Sequence, residues 1–79
     1  MGNSDMDNIS DLVEKSFYNA DTEQVYSKII DEIQKVVIIK ALERSHGNQL
    51  KAAKILGIHR NTLRAKISKF DISPERWKI

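Results

Sequence analysis

The sequence predicts an all-α fold built from four helices, and three observations carry that expectation. Apolar residues recur at intervals of three and four through most of the chain, the period of a helix with one buried face. The β-branched run that would suit a strand, Val36-Val37-Ile38-Ile39, lies within such a helical stripe. Residues that cap or stop helices (Asn48, Gly47, Gly57 and Pro74) fall between the periodic stretches.

Residues 1–8 carry no apolar period and are expected to form a flexible N-terminus. Ile9, Leu12, Val13, Phe17 and Ala20 then define an amphipathic helix over residues 9–20, with Asp7, Asn8 or Ser10 as its cap. A break follows at Asn19-Ala20-Asp21-Thr22, where Asp21 and Gln24 have the spacing of a capping box. A long helix is predicted from about residue 22 to 45. Its first half has one apolar stripe through Val25, Tyr26, Ile29, Ile30 and Ile33. The run Val36-Val37-Ile38-Ile39 is apolar around most of the helix. Its β-branched residues suit a strand, but the helical stripe enters the run and continues through Ala41 and Leu42. A helix apolar all round has to be covered on several sides. Gly47 is expected to end this helix at the position that favours positive φ, and Asn48 to cap a short helix over 49–56. Gly57-Ile58 forms a tight turn into a last helix over 59–70, which Asp71-Ile72-Ser73-Pro74 stops. The domain plan is therefore dimerisation helices over 9–46, a reading unit over 47–72 and a C-terminal tail over 73–79. Trp77 has two readings, packed back on the domain or exposed.

A chain of 79 residues holds one small domain, and such a domain is marginal without added core. There is no cysteine and there are only two histidines, His46 and His59, so no disulfide, metal site or cofactor is expected. A second copy of the chain is then the expected source of stability. Leu12, Phe17, Ile29, Ile33, Val36, Val37 and Ile39 are the candidate interface of this homodimer. No apolar run is long enough to cross a bilayer, and the start of the chain lacks the features of a signal peptide. A cytoplasmic protein is expected, and Met1-Gly2 reads as the start of a fragment of something longer. No paired carboxylates, nucleophile–base set or glycine-rich phosphate loop appears, so an enzyme is not expected.

The net charge of +2 hides a split. Residues 1–46 hold five Lys and Arg against nine Asp and Glu, a net of −4, whereas residues 47–79 hold eight against two, a net of +6. No acid lies between Glu43 and Asp71. One half of the chain is thus suited to a polyanion. The same half carries a spacing pattern. Gly57 follows Ala53 by four residues and Leu63 follows Gly57 by six, which places small residues, a turn and a core leucine as a helix-turn-helix requires. The second helix of such a motif enters the major groove with its N-terminal residues nearest the bases. Arg60, His59, Asn61 and Arg64 are the candidate base contacts, with Arg60 foremost because a guanidinium can grip a guanine edge bidentately. Asn48, Gln49, Lys51, Thr62, Lys66 and Lys69 are candidate phosphate contacts. Asn48 and His59 have a second reading, as helix caps alone.

The residues Gly47-Asn48-Gln49, Ala52-Ala53, Leu56-Gly57-Ile58-His59-Arg60-Asn61-Thr62-Leu63-Arg64 and Lys66-Ile67 resemble the Fis-type DNA-binding domain. This domain also ends the sigma-54-dependent transcriptional activators of the NtrC family. The resemblance extends less tightly over about residues 9–72. It implies a four-helix subunit whose first two helices intertwine with a partner's, and a homodimer on a pseudo-palindromic site in double-stranded DNA. It assigns base reading to Arg60, phosphate contact to Thr62 and Arg64, and a polar contact to Asn48. His59, Ala65 and Leu50 depart from the Fis pattern, and Met1–Asn8 has no counterpart to the Fis hairpin. The resemblance therefore favours an activator's enhancer-binding domain over a free-standing Fis-like nucleoid protein. Such an activator adds an ATPase domain that works on sigma-54 RNA polymerase. A non-DNA dimerisation or adaptor module is the alternative from a different class.

Overall fold

The computed structural model describes residues 4–19 and 24–78, and their regular structure is all helical. Helix α1 runs over Ser4–Asn19, α2 over Val25–Arg44, α3 over Gln49–Leu56 and α4 over Arg60–Lys69, and a short 3-10 turn closes the chain at Pro74–Trp77. Helix α1 starts ahead of Ile9, so residues 4–8 are helical, and Asp7, Asn8 and Ser10 lie within the helix instead of capping it. The helix can thus extend beyond the apolar period that reveals it. The capping box expected at Asp21 lies outside the described residues, and α2 is described from Val25.

The chain divides into two compact units, residues 1–33 and 34–79. In the first, Leu12, Lys15 and Ser16 of α1 and Lys28, Asp31 and Glu32 of α2 line one shallow depression. Ser16 donates its hydroxyl proton to the Leu12 carbonyl at 3.0 Å. Ile9, Phe17, Tyr18, Tyr26 and Ile33 of this unit are exposed.

The second unit holds the C-terminal part of α2 with α3, α4 and the closing turn. Its core is Ile38, Ala41, Leu42, Ala52, Ala53, Leu63 and Ile67, with Leu56, Ile58, Phe70, Ile72 and Trp77 packed on it. The Val36–Ile39 run is helical, as the stripe predicts, and only Ile38 of the four is buried. Trp77 takes the packed reading, and its ring holds the Arg76 guanidinium 5.2 Å from the ring centroid. Residues 74–77 are thus part of the second compact unit.

All three helices of this unit end alike. A residue with positive φ closes the helix, and the next N–H reaches back to a carbonyl five residues earlier, as in a Schellman motif. The bonds are Gly47 N–H to Leu42 O at 2.8 Å, Ile58 N–H to Ala53 O at 3.0 Å and Ile72 N–H to Ile67 O at 3.0 Å. The left-handed residues are His46 (φ 54°), Gly57 (φ 72°) and Asp71 (φ 54°). The C′ residue of α2 is therefore His46, and Gly47 (φ 81°) follows it rather than filling that place. Gly47 is needed for a second reason, since a Cβ there would lie 2.5 Å from the Pro74 carbonyl oxygen and 2.8 Å from Lys78 Cγ. Gly57 has open space around the same position. Gly57→Ala should cost only the left-handed strain, about 1–2 kcal/mol. Gly47→Ala adds a backbone clash and should cost about 2–4 kcal/mol, with the closing turn displaced. Urea midpoints at unchanged m-value test this ranking, and equal losses at the two glycines would refute it.

Candidate nucleic-acid interface

Helices α3 and α4 pack directly on one another. Ala52 and Ala53 of α3 are buried, and their small side chains permit a close approach. Gly57 turns the chain between the two helices, and Leu63, fully buried, anchors α4. Leu63, Ile67 and Phe70 then face inward, as their spacing predicts. Arg60, Asn61, Thr62, Arg64, Ala65, Ser68 and Lys69 are left exposed. Arg60 and Arg64, four residues apart, share one edge of α4.

Both helices of the motif are capped by side chains that were candidate contacts. Asn48 Oδ1 accepts the Lys51 N–H at 3.0 Å, which satisfies one donor at the start of α3. Its side-chain amide remains the group that can donate to an anion. His59 caps α4, where its Nδ1 accepts the Asn61 N–H at 3.2 Å. An Nδ1 that accepts carries no proton, so the neutral ring donates through Nε2. Capping and contact are therefore compatible at both residues, because each uses a different atom. The caps also hold in place the first turns of α3 and α4, the ends that a helix-turn-helix presents to nucleic acid.

The remaining candidates fall into two places. Asn61, Thr62, Lys66 and Lys69 line one open depression along α4 with Ala65. Asn48 and Gln49 line another with Ser45, His46, Gly47 and Lys78. Lys51 is exposed on the first turn of α3. Lys69 Nζ sits 5.4 Å from the Phe70 ring centroid. Lys66 is half-buried, whereas Lys69, the other lysine of α4, is exposed, and Lys66 donates from Nζ to Gln34 Oε1 at 2.6 Å. Neither Gln34 nor Lys78 stood out in the sequence. Gln34 precedes buried Ile38 by one helical turn, a spacing that places it on the packed face of α2. Lys78 reaches its place only because the closing turn folds back over Gly47.

The interface candidates for a second copy divide by exposure. Leu12, Ile29 and Ile39 are half-buried, whereas Phe17, Ile33, Val36 and Val37 are 60%, 41%, 53% and 44% exposed.

The capped helix pair with a basic, acid-free second helix defines a helix-turn-helix. Residues 29–70, more than half of the chain, match the helix-turn-helix family described as bacterial regulatory protein, Fis family, and the chain belongs to that family. It is 42% identical over 52 residues to the DNA-binding transcriptional regulator NtrC of Azospirillum brasilense, covering 66% of this chain and 11% of that one. It is 35% identical over 52 residues to a Fis-like DNA-binding protein of Xylella fastidiosa, covering 66% of this chain and 58% of that one. Over 45 residues it is 49% identical to the acetoin dehydrogenase operon transcriptional activator AcoR of Bacillus subtilis, covering 57% of this chain and 7% of that one. The chain thus spans about one-ninth of the NtrC relative. No solved structure matches it.

Proposed function

We propose that the chain is a sequence-specific binding module for double-stranded DNA, that it works as a homodimer, and that it is the enhancer-binding domain of a sigma-54-dependent transcriptional activator. The observation that carries this reading is α4 itself. Its first turn is capped, its Arg60–Arg64 edge is exposed, and no acid lies between Glu43 and Asp71. Arg60 reads a guanine edge, with His59, Asn61 and Arg64 beside it. Asn48, Gln49, Lys51, Thr62 and Lys69 hold phosphates and fix the register. The names of the relatives, a transcriptional regulator for NtrC and a transcriptional activator for AcoR, support the activator reading. On that reading an ATPase domain and sigma-54 RNA polymerase are the wider partners. A free-standing Fis-like protein is the second reading, favoured by the larger share of the Xylella relative that the chain spans.

The dimer follows from the apolar residues left exposed on α1 and α2. Phe17, Ile33, Val36 and Val37 are apolar and exposed, and on α2 Val36 and Val37 follow Ile33 at spacings of three and four. Two copies joined there would present two α4 helices to successive major grooves of a pseudo-palindromic site.

Retention of duplex DNA on a gel across a salt series tests the proposal. Lys51 and Lys69 in two protomers give about four cationic phosphate contacts, so log K should fall with log salt at a slope of about −4. A flat salt response with no duplex retained would overturn it in favour of an adaptor module.

A further inference from the structure

The Lys66–Gln34 hydrogen bond gives one basic residue of α4 a task apart from the others. We infer that Lys66 and Gln34 form a positioning tie, which sets the angle of α4 against α2 and through it the fit of the base-reading edge to DNA. Lys66 is then not a phosphate contact. The inference rests on the DNA-binding reading above.

The tie spans 32 residues of sequence and joins two helices of the same compact unit. The residues that α4 and its C-cap present inward (Leu63, Ile67 and Phe70) form one stripe. A directional bond on the flank of that stripe adds a constraint on rotation of α4 about its own axis. Lys66 is suited to the place. It follows Leu63 by three residues and precedes Phe70 by four, so its stem runs beside the buried stripe while its ammonium reaches α2. On a helix of 3.6 residues per turn, Lys66 lies about 160° round the axis from Arg64. The reading edge and the tie are thus on opposite flanks, and a small rotation at one moves the other. Gln34 suits its own place too, four residues before buried Ile38 on the face of α2 that the motif covers. A neutral acceptor satisfies the ammonium and leaves its charge uncancelled, so the basic field of α4 is kept. A charge-assisted bond of this length is among the stronger hydrogen bonds available to a half-buried site.

Base contacts and phosphate contacts respond differently to a change of helix angle. Bidentate hydrogen bonds to base edges need close alignment, whereas a lysine on a flexible stem follows a displaced phosphate. Loosening the tie should therefore weaken specific binding and spare non-specific binding. Removing a phosphate contact should weaken both alike and flatten the salt slope.

The experiment uses the whole chain with two probes, a duplex selected from a random-sequence pool by the wild-type protein and an unselected random duplex. Gln34→Ala and Lys66→Met are each expected to reduce affinity for the selected duplex about tenfold, with little change on the random duplex and the salt slope within error of wild type. The double variant should lose no more than either single one. Gln34→Glu, which keeps an acceptor for Lys66, should restore the preference for the selected duplex. The tie is refuted if Lys66→Met lowers affinity for both duplexes equally and reduces the slope by about 1 per protomer, as loss of a phosphate contact would. It is also refuted if Gln34→Ala keeps the wild-type ratio of the two affinities. Should Gln34→Ala unfold, the salt slope of Lys66→Met decides the question alone. If the wild-type chain itself retains no duplex, the DNA-binding reading fails and the tie loses its object, a result distinct from either refutation.

Discussion

Arg60→Ala is expected to lower affinity for the selected duplex by about 1–3 kcal/mol in each half-site, and so by about 2–6 kcal/mol for a dimer that reads two. Arg60 is the first residue of α4, directly after its His59 cap, and it is exposed. The N-terminal residues of the second helix are those nearest the bases, and a guanidinium offers two parallel donors to the acceptors of guanine. The loss should be confined to discrimination. Affinity for random duplex should change little, and the variant should bind base-substituted sites almost as well as the selected one. Arg60→Lys separates charge from geometry, since it keeps the cation but not the planar fork. It should retain the wild-type salt slope and still lose most of the preference. Equal loss on every duplex would show that Arg60 meets phosphate, and no loss at all would remove it from the interface.

The parts of the fold that were legible in the sequence are those with local causes. The limits of α3 follow from a capping asparagine on one side and Gly57 on the other, and the helix runs over Gln49–Leu56 as expected. Helix α4 begins one residue later than expected because His59 caps it rather than entering it. Local signals also mislead where two causes compete for one residue. The left-handed position after α2 was expected at Gly47, since glycine carries no strain there. It falls instead on His46, and Gly47 is spent on the close approach of the Pro74 carbonyl, which no local pattern reports. The start of α1 was hidden because polar residues extend the helix beyond its apolar period. The candidate site was legible in the types and spacing of Arg60, Asn61 and Arg64. What could not be read was the tertiary pairing of Lys66 with Gln34, because the spacing puts Lys66 beside the buried stripe without saying which residue of α2, 32 positions earlier, its ammonium meets.

The second large effect is expected on α2, at a residue remote from the proposed DNA contacts. Val36 is 53% exposed in the isolated chain and makes no part of the core. If the chain worked alone, Val36→Glu would be a surface substitution worth within about 0.5 kcal/mol. If two copies meet over Phe17, Ile33, Val36 and Val37, the same change buries two carboxylates in an apolar seam, at a cost of several kcal/mol for each unpaired charge. The variant should then sediment as a monomer at concentrations where wild type is a dimer. Its affinity for the selected duplex should fall about 10²- to 10⁴-fold, because the second half-site is no longer delivered by the first. Its helical content should fall as well, since a chain of 79 residues has little core to spare. Lys40→Glu makes the matching control: it sits one turn further along α2, is exposed, and pairs only at the surface, 3.7 Å from Glu43. It should remain a dimer. A monomeric wild type, or a Val36→Glu variant that stays dimeric with full affinity, would show that the exposed apolar face of α2 serves some purpose other than joining two copies.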